Sequence, residues 1–247
     1  SSNLIIHYSF TKRKSKMKKK FLYFTLLAAI STSALAVTPS AQLQINGDIK
    51  PPTCTINSSN NTEVVFDYGR ISPSLIPQSS NYQYVDMKPE TSISIECDAK
   101  TYLTFIPTDT YGDVDLDYNT SFDSAWFRLV DKANPDKAVG ASFFNWKDAT
   151  VDGKTAFISR ATPKTAEVGV SVLVKNNIHG WTSEQQEDVS AASLKLVSGE
   201  IFTTKFIPGI SSHTFILSRD KLAKKAIDIS NGLDFIGEAV LTFSFGV

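Results

Sequence analysis

Short runs in which apolar and polar residues alternate recur along the chain, separated by clusters of Gly, Pro, Asn, Asp and Ser. A period of two puts every second side chain on one face of an extended strand, and the clusters supply the turns between strands. The pattern predicts strands over 42–49, 64–68, 91–97, 102–106, 126–130, 141–146, 156–159, 168–174, 193–196, 200–207, 214–217 and 238–245. Val, Ile, Phe, Tyr and Thr dominate these runs, as expected of side chains that pack on a pleated surface. Only 185–192 and 219–226 have a helix-like composition, and either could be a single turn. Many short strands with turn signals between them, and no long linker, predict one all-β domain, a β-sandwich.

Two rows stand out. Ala41-x-Leu43-x-Ile45-x-Gly47-x-Ile49 is strictly alternating and stops at Pro51-Pro52. Ala239-x-Leu241-x-Phe243-x-Phe245-x-Val247 alternates to the last residue. Periodicity alone makes them the first and last strands of a sandwich. Left without partners, strands with one apolar face are aggregation hazards.

The N-terminus alters the charge balance. Lys12, Arg13, Lys14, Lys16, Lys18, Lys19 and Lys20 precede the first acidic residue, Asp48. From Met17 the chain has the parts of a secretory signal: Lys18–Lys19–Lys20, an apolar stretch over 21–30, and the small-x-small site Ala34-Leu35-Ala36. That stretch is well short of the ~20 residues a membrane span needs. The expected organisation is an artefactual or upstream segment at 1–16, a signal peptide at 17–36, an extension at 37–52 and a domain at 53–247. Beyond position 36 the chain carries 18 basic residues against 25 acidic ones. This acidic balance argues against nucleic acid, whose phosphates need clustered Lys and Arg. At 42% hydrophobic and 20% charged residues the composition is that of a globular domain rather than a disordered chain.

Export sets the redox compartment. Cys54 and Cys97 are the only cysteines, and an even count in an oxidising compartment predicts one disulfide. Closing a loop of about 43 residues would stabilise the fold by roughly 4 kcal/mol through the unfolded chain. Two buried thiols or a metal pair are the alternatives, the latter weakened by the lack of a paired His.

Signatures of catalysis fail on their spacing. After the leader only His179 and His213 remain, and no G-x-S-x-G occurs. Asp152-Gly153-Lys154-Thr155 resembles a phosphate loop, but Asp148 stands where its first Gly is needed. Asp113-x-Asp115-x-Asp117 opens like a calcium loop, yet Tyr118 and Ser124 replace the Gly and Glu it requires. The expectation is a non-enzyme with no cofactor and no metal site. Two alternatives remain: a lectin-like or tip-adhesin module stacking sugars on Trp126, Trp146 or Trp181, and a glycosidase built on two acids converging in a cleft.

Four stretches resemble subunits of bacterial chaperone–usher fimbriae, the pilins. Residues 43–54, LQINGDIKPPTC, resemble the N-terminal extension, with Cys54 seven positions after Gly47. Residues 64–72, VVFDYGRIS, resemble the strand and turn after the first Cys, and 92–101, SISIECDAKT, the strand bearing the second. Residues 237–247, GEAVLTFSFGV, resemble the C-terminal strand, although Phe245 is followed by Gly246 and Val247 rather than standing penultimate. That ending and the chain's length resemble a divergent group of fimbrial-like secreted proteins.

The resemblance implies an immunoglobulin-like sandwich lacking its last strand. A periplasmic chaperone first fills the gap, and the extension of a neighbouring subunit, self or heterologous, then replaces it at an outer-membrane usher. Leu43, Ile45 and Ile49 would fill pockets, with Gly47 where no side chain fits. Ala239, Leu241, Phe243 and Phe245 would form the groove strand and the chaperone's handle. The location implied is the periplasm, then a cell-surface fimbria.

Overall fold

The computed structural model describes residues 41–59, 64–85, 90–118, 122–161, 168–209 and 213–246. The segment at 1–16, the expected signal peptide at 17–36 and residues 37–40 of the expected extension lie outside the described residues. The chain divides into two units, 1–50 and 51–247. In the first, residues 41–50 form no strand and are exposed throughout. The expected strand at 42–49 is therefore absent, because alternation supplies a face but not the partner edge that a strand requires.

The second unit is all-β and every sheet is antiparallel, an arrangement consistent with the expected β-sandwich. Its strands are β1 (Cys54–Ile56), β2 (Tyr82–Gln83), β3 (Thr91–Thr101), β4 (Leu103–Asp109), β5 (Phe127–Asp131), β6 (Asn134–Ser142), β7 (Phe144–Val151), β8 (Lys154–Thr155), β9 (Phe157–Arg160), β10 (His179–Thr182), β11 (Gly199–Pro208), β12 (Thr214–Ile216), β13 (Phe235–Ile236) and β14 (Ala239–Phe245). One helix, α1 (Arg219–Lys224), starts at Ser218, whose Oγ accepts from the Lys221 N–H.

The strands form sheets in the orders β1-β3-β11-β7-β8, β14-β4-β10-β9 and β13-β5-β6-β12-β2. Two apolar clusters lie among them. Ile93, Ile95, Phe202 and Phe206 of the first sheet meet Leu103, Phe105, Ile158 and Trp181 of the second. Trp126, Phe143, Phe215, Leu217 and Leu222 centre the other cluster, against the third sheet. The predicted strand at 141–146 is really two. Phe143 leaves the ladder between β6 and β7, its N–H donating to His213 O and its carbonyl accepting from Gly209 N. There the chain passes from the third sheet to the first, a strand-switching corner.

Other departures share a cause, since burial by tertiary neighbours produces apolar runs without ladder bonds. Residues 168–174 are a largely buried loop, bridged only at Asn145–Val172. Arg160, almost fully buried, holds that loop by donating to the carbonyls of Val168, Gly169 and Val172 while pairing with Glu187 at 2.7 Å. Within 185–196 the helix-like composition corresponds to a single turn of 3-10 helix at Ala191–Ser193, and the expected strand at 193–196 is reduced to a bridge at Leu196.

Cys54 and Cys97 face each other across β1 and β3, 4.0 Å apart at Cα, and are joined by a disulfide. β1 is an edge strand of three residues and is otherwise weakly held. Reduction should lower unfolding free energy by roughly 4 kcal/mol, since the bond closes a long loop. Denaturant titration with and without reductant measures this. Two reactive thiols in unfolded, unreduced protein would contradict the bond.

Candidate functional site

The second unit carries a groove of about 1730 Å3 lined by both apolar and polar residues. One wall is β14 with the chain leading into it from 229. β14 pairs with β4 over seven residues, Ala239 opposite Asp109 through Phe245 opposite Leu103. Thr104 Oγ1 donates to Gly246 O at 2.6 Å, and Gly246 N–H donates to Tyr102 O at 2.8 Å. On its other side β14 is the edge of its sheet, so its outward main-chain N–H and C=O groups have no strand partner among the described residues.

The second wall is the segment 64–71. It alternates in burial, with Val64, Phe66, Tyr68 and Ile71 turned inward, yet none of it belongs to a sheet. Side chains hold it instead. The Phe66 ring lies 5.7 Å from Phe144, and Tyr68 packs on Tyr84 at 4.7 Å. The Tyr68 hydroxyl bonds Ser142 Oγ at 3.2 Å and Thr214 Oγ1 at 3.4 Å. Burial raises the pKa of this phenol, an effect that these two bonds partly oppose. The predicted strand at 64–68 has the right face and no ladder.

The floor draws on both clusters: Ile93, Phe127, Phe144 and Phe206 towards one end, Leu129, Val139 and Leu222 towards the other. Gly237, between β13 and β14, lets the wall cross from one sheet to the next. A Cβ there would stand 2.8 Å from Arg128 O and 2.7 Å from Leu129 Cδ2, so nothing larger fits without movement.

Of the expected groove-strand residues, Ala239, Leu241 and Phe243 are half-buried and line the groove. Phe245 lies past its end and is 46% exposed. Leu43, Ile45 and Ile49 are exposed, and a Cβ on Gly47 would meet nothing within 4 Å. The sequence reading missed Leu233, Phe235 and the wall role of 64–71. Only the inward alternation of Val64, Phe66 and Tyr68 hinted at the last.

The sites considered for other chemistry are placed differently. Trp126 and Trp181 are buried, the latter donating Nε1–H to Thr203 O at 3.1 Å, and Trp146 is half-buried. Among the described residues, no group of three or more His, Cys, Asp or Glu is placed to hold a metal ion, and no helix is long and apolar enough to cross a membrane. The chain matches no family model, no curated protein and no solved structure.

Behind the β14 wall, Phe243 packs on Phe105 at 5.6 Å, and Phe105 stacks on His179 at 5.2 Å. His179 Nδ1 bonds Asn177 O at 2.9 Å and Nε2 accepts from the Val174 N–H at 3.3 Å, so the ring is neutral. Burial drives its pKa down to about 4, helped by nearby Arg160 and opposed by the Asn177 bond. In the unfolded chain a His titrates near 6.5. As pH falls from about 6.5 to about 4 the unfolded state takes up a proton that the native state refuses, and stability is lost across that window. The loss should be roughly 3 kcal/mol. Urea unfolding at several pH values should show this slope in wild type and a flatter one in His179→Gln. Equal slopes would rule out His179 as its source.

Proposed function

We propose that the chain is a structural subunit of a surface fimbria, exported to the periplasm, captured there by a chaperone and assembled at an outer-membrane usher by exchange of strands. In this reading the second unit is an immunoglobulin-like sandwich short of one strand, and the extension at 37–52 is the strand it lends to a neighbour. The observation that carries the proposal is the groove. It is flanked by a sheet edge that has no strand partner among the described residues, and it runs along Ala239–Phe243 of β14. Residues 43–49 alternate in polarity and are exposed.

Strand addition here would satisfy the free backbone groups of β14 and bury Leu43, Ile45 and Ile49. At about 1.5–3 kcal/mol for each large aliphatic, the apolar contribution is roughly 5–9 kcal/mol. A chaperone strand would use the same edge, which makes β14 its handle.

Phe243→Asp places a charge on the groove face of β14 and should reduce chaperone capture by at least about tenfold, because a carboxylate buried there lacks a partner. Thr242→Asp, on the exposed face of the same strand, should leave capture intact and controls for folding. Pull-down of exported protein reads both variants; undiminished capture of Phe243→Asp would sink the assignment.

Gly47 separates the readings of the extension. Its surroundings are open, so Gly47→Val should not change the thermal stability of the monomeric or chaperone-bound protein. Against a close-packed groove the added side chain should weaken insertion by roughly 1–3 kcal/mol. Polymerisation on chaperone release measures it, and wild-type assembly of the variant would count against the donor strand.

A further inference from the structure

The groove is unevenly charged. Around its end at Phe206, Phe66 and Phe243 the lining residues carry no formal charge. All its charged lining residues, Asp67, Arg70, Arg128, Lys132, Asp234 and Glu238, lie from the middle to the other end. That end is identified by Tyr68 packing on Phe235 at 6.4 Å, with Ile71 and Leu233 against the same cluster. Three of the six are engaged within the chain. Asp67 accepts from Gly69 N–H, Arg128 pairs with Asp123, and Glu238 accepts from Thr110 Oγ1–H. Arg70, Lys132 and Asp234 are exposed on the rim, and their side chains make no ion pair or hydrogen bond among the described residues.

The segment 41–50 has the same asymmetry. Residues 41–47 are uncharged, and its only charges are Asp48 and Lys50, a solvent-exposed pair 3.2 Å apart that an occupied groove would have to exchange for its own partners. In an extended strand these two share the face opposite Leu43, Ile45 and Ile49, the face that remains at the rim when the apolar row points inward. Pro51-Pro52 follows directly, a stiff spacer that disfavours a tight reversal of the chain onto itself.

We propose that the groove selects residues 41–50 of a second copy of this chain by charge, with Arg70 and Lys132 receiving Asp48, and Asp234 receiving Lys50. This rests on the strand-uptake reading and adds to it the identity of the partner, the residues that set specificity and the direction of entry. Because β14 runs from the charged end towards the uncharged end, an occupant matched in charge runs antiparallel to β14. Rim charges of this kind discriminate between partners and steer encounter more than they add affinity.

The test uses the full chain and fluorescein-labelled synthetic peptides of residues 38–52, followed by anisotropy at low and high salt. The Asp48→Lys peptide should bind wild-type protein roughly fivefold more weakly than the native peptide, as exposed ion pairs allow. Arg70→Glu/Lys132→Glu protein should reverse that preference, and high salt should shrink both differences. Equal binding of the two peptides at low salt would overturn charge selection while leaving strand uptake standing. If neither peptide binds, limited proteolysis of 41–50 decides between two failures. Protection in a monomer means that the chain fills its own groove, which overturns the second copy. Cleavage without binding means that the groove takes no strand, and the underlying reading falls with the proposal.

Discussion

A sheet edge beside an apolar core is a liability that proteins manage, and among the described residues one such edge, β14, has no strand on its outer side. β14 is secured on one side by a full register with β4 and by threonine hydroxyls bonded to its carbonyls. Its other side opens on a channel whose floor is formed by the cores themselves. The opposing wall, 64–71, is hung on the rings of Phe66 and Tyr68 rather than on main-chain bonds. A strand laid between them would complete both walls at once and join the two apolar clusters along one seam.

Close approaches of the backbone mark the corners beside the groove. Gly237 carries the β14 wall past Arg128 O, where a Cβ has no room. Phe143 transfers the chain between sheets while its backbone bonds to Gly209 and His213 stay satisfied. Gly140 is similarly confined, its absent Cβ facing Phe215 O. Gly140 meets a neighbouring strand of its own sheet, so this contact sets how closely two adjacent strands approach.

Much of the β architecture was legible because its signal is local. Residues 91–97, 200–207 and 238–245 alternate, contain β-branched and aromatic side chains, and are strands in the structure. What failed was information held by partners. Residues 42–49 and 64–68 alternate as well as any strand, but pairing is a property of two segments and is absent for both. β10 escaped notice for the converse reason: His179, Gly180, Trp181 and Thr182 are all buried, so no alternation marks them. The expectation that Leu241 and Phe243 line a groove comes from the resemblance rather than from their spacing, whereas Arg70, Lys132 and Asp234 are unremarkable in sequence and are brought to the groove's lining by the fold. Phe245 continues the row but lies beyond the space the row encloses.

The position of the disulfide has a mechanical consequence. Any tension applied through residues 41–50 enters the fold at Cys54, the first residue of a strand only three residues long. Hydrogen bonds alone would yield there one pair at a time, like a zip opened from its end. The covalent link passes the load to Cys97, within the eleven-residue β3, which is paired along its length with β11. Force then acts on many bonds of that sheet in parallel, and a strand of only three residues is anchored through its longer neighbour.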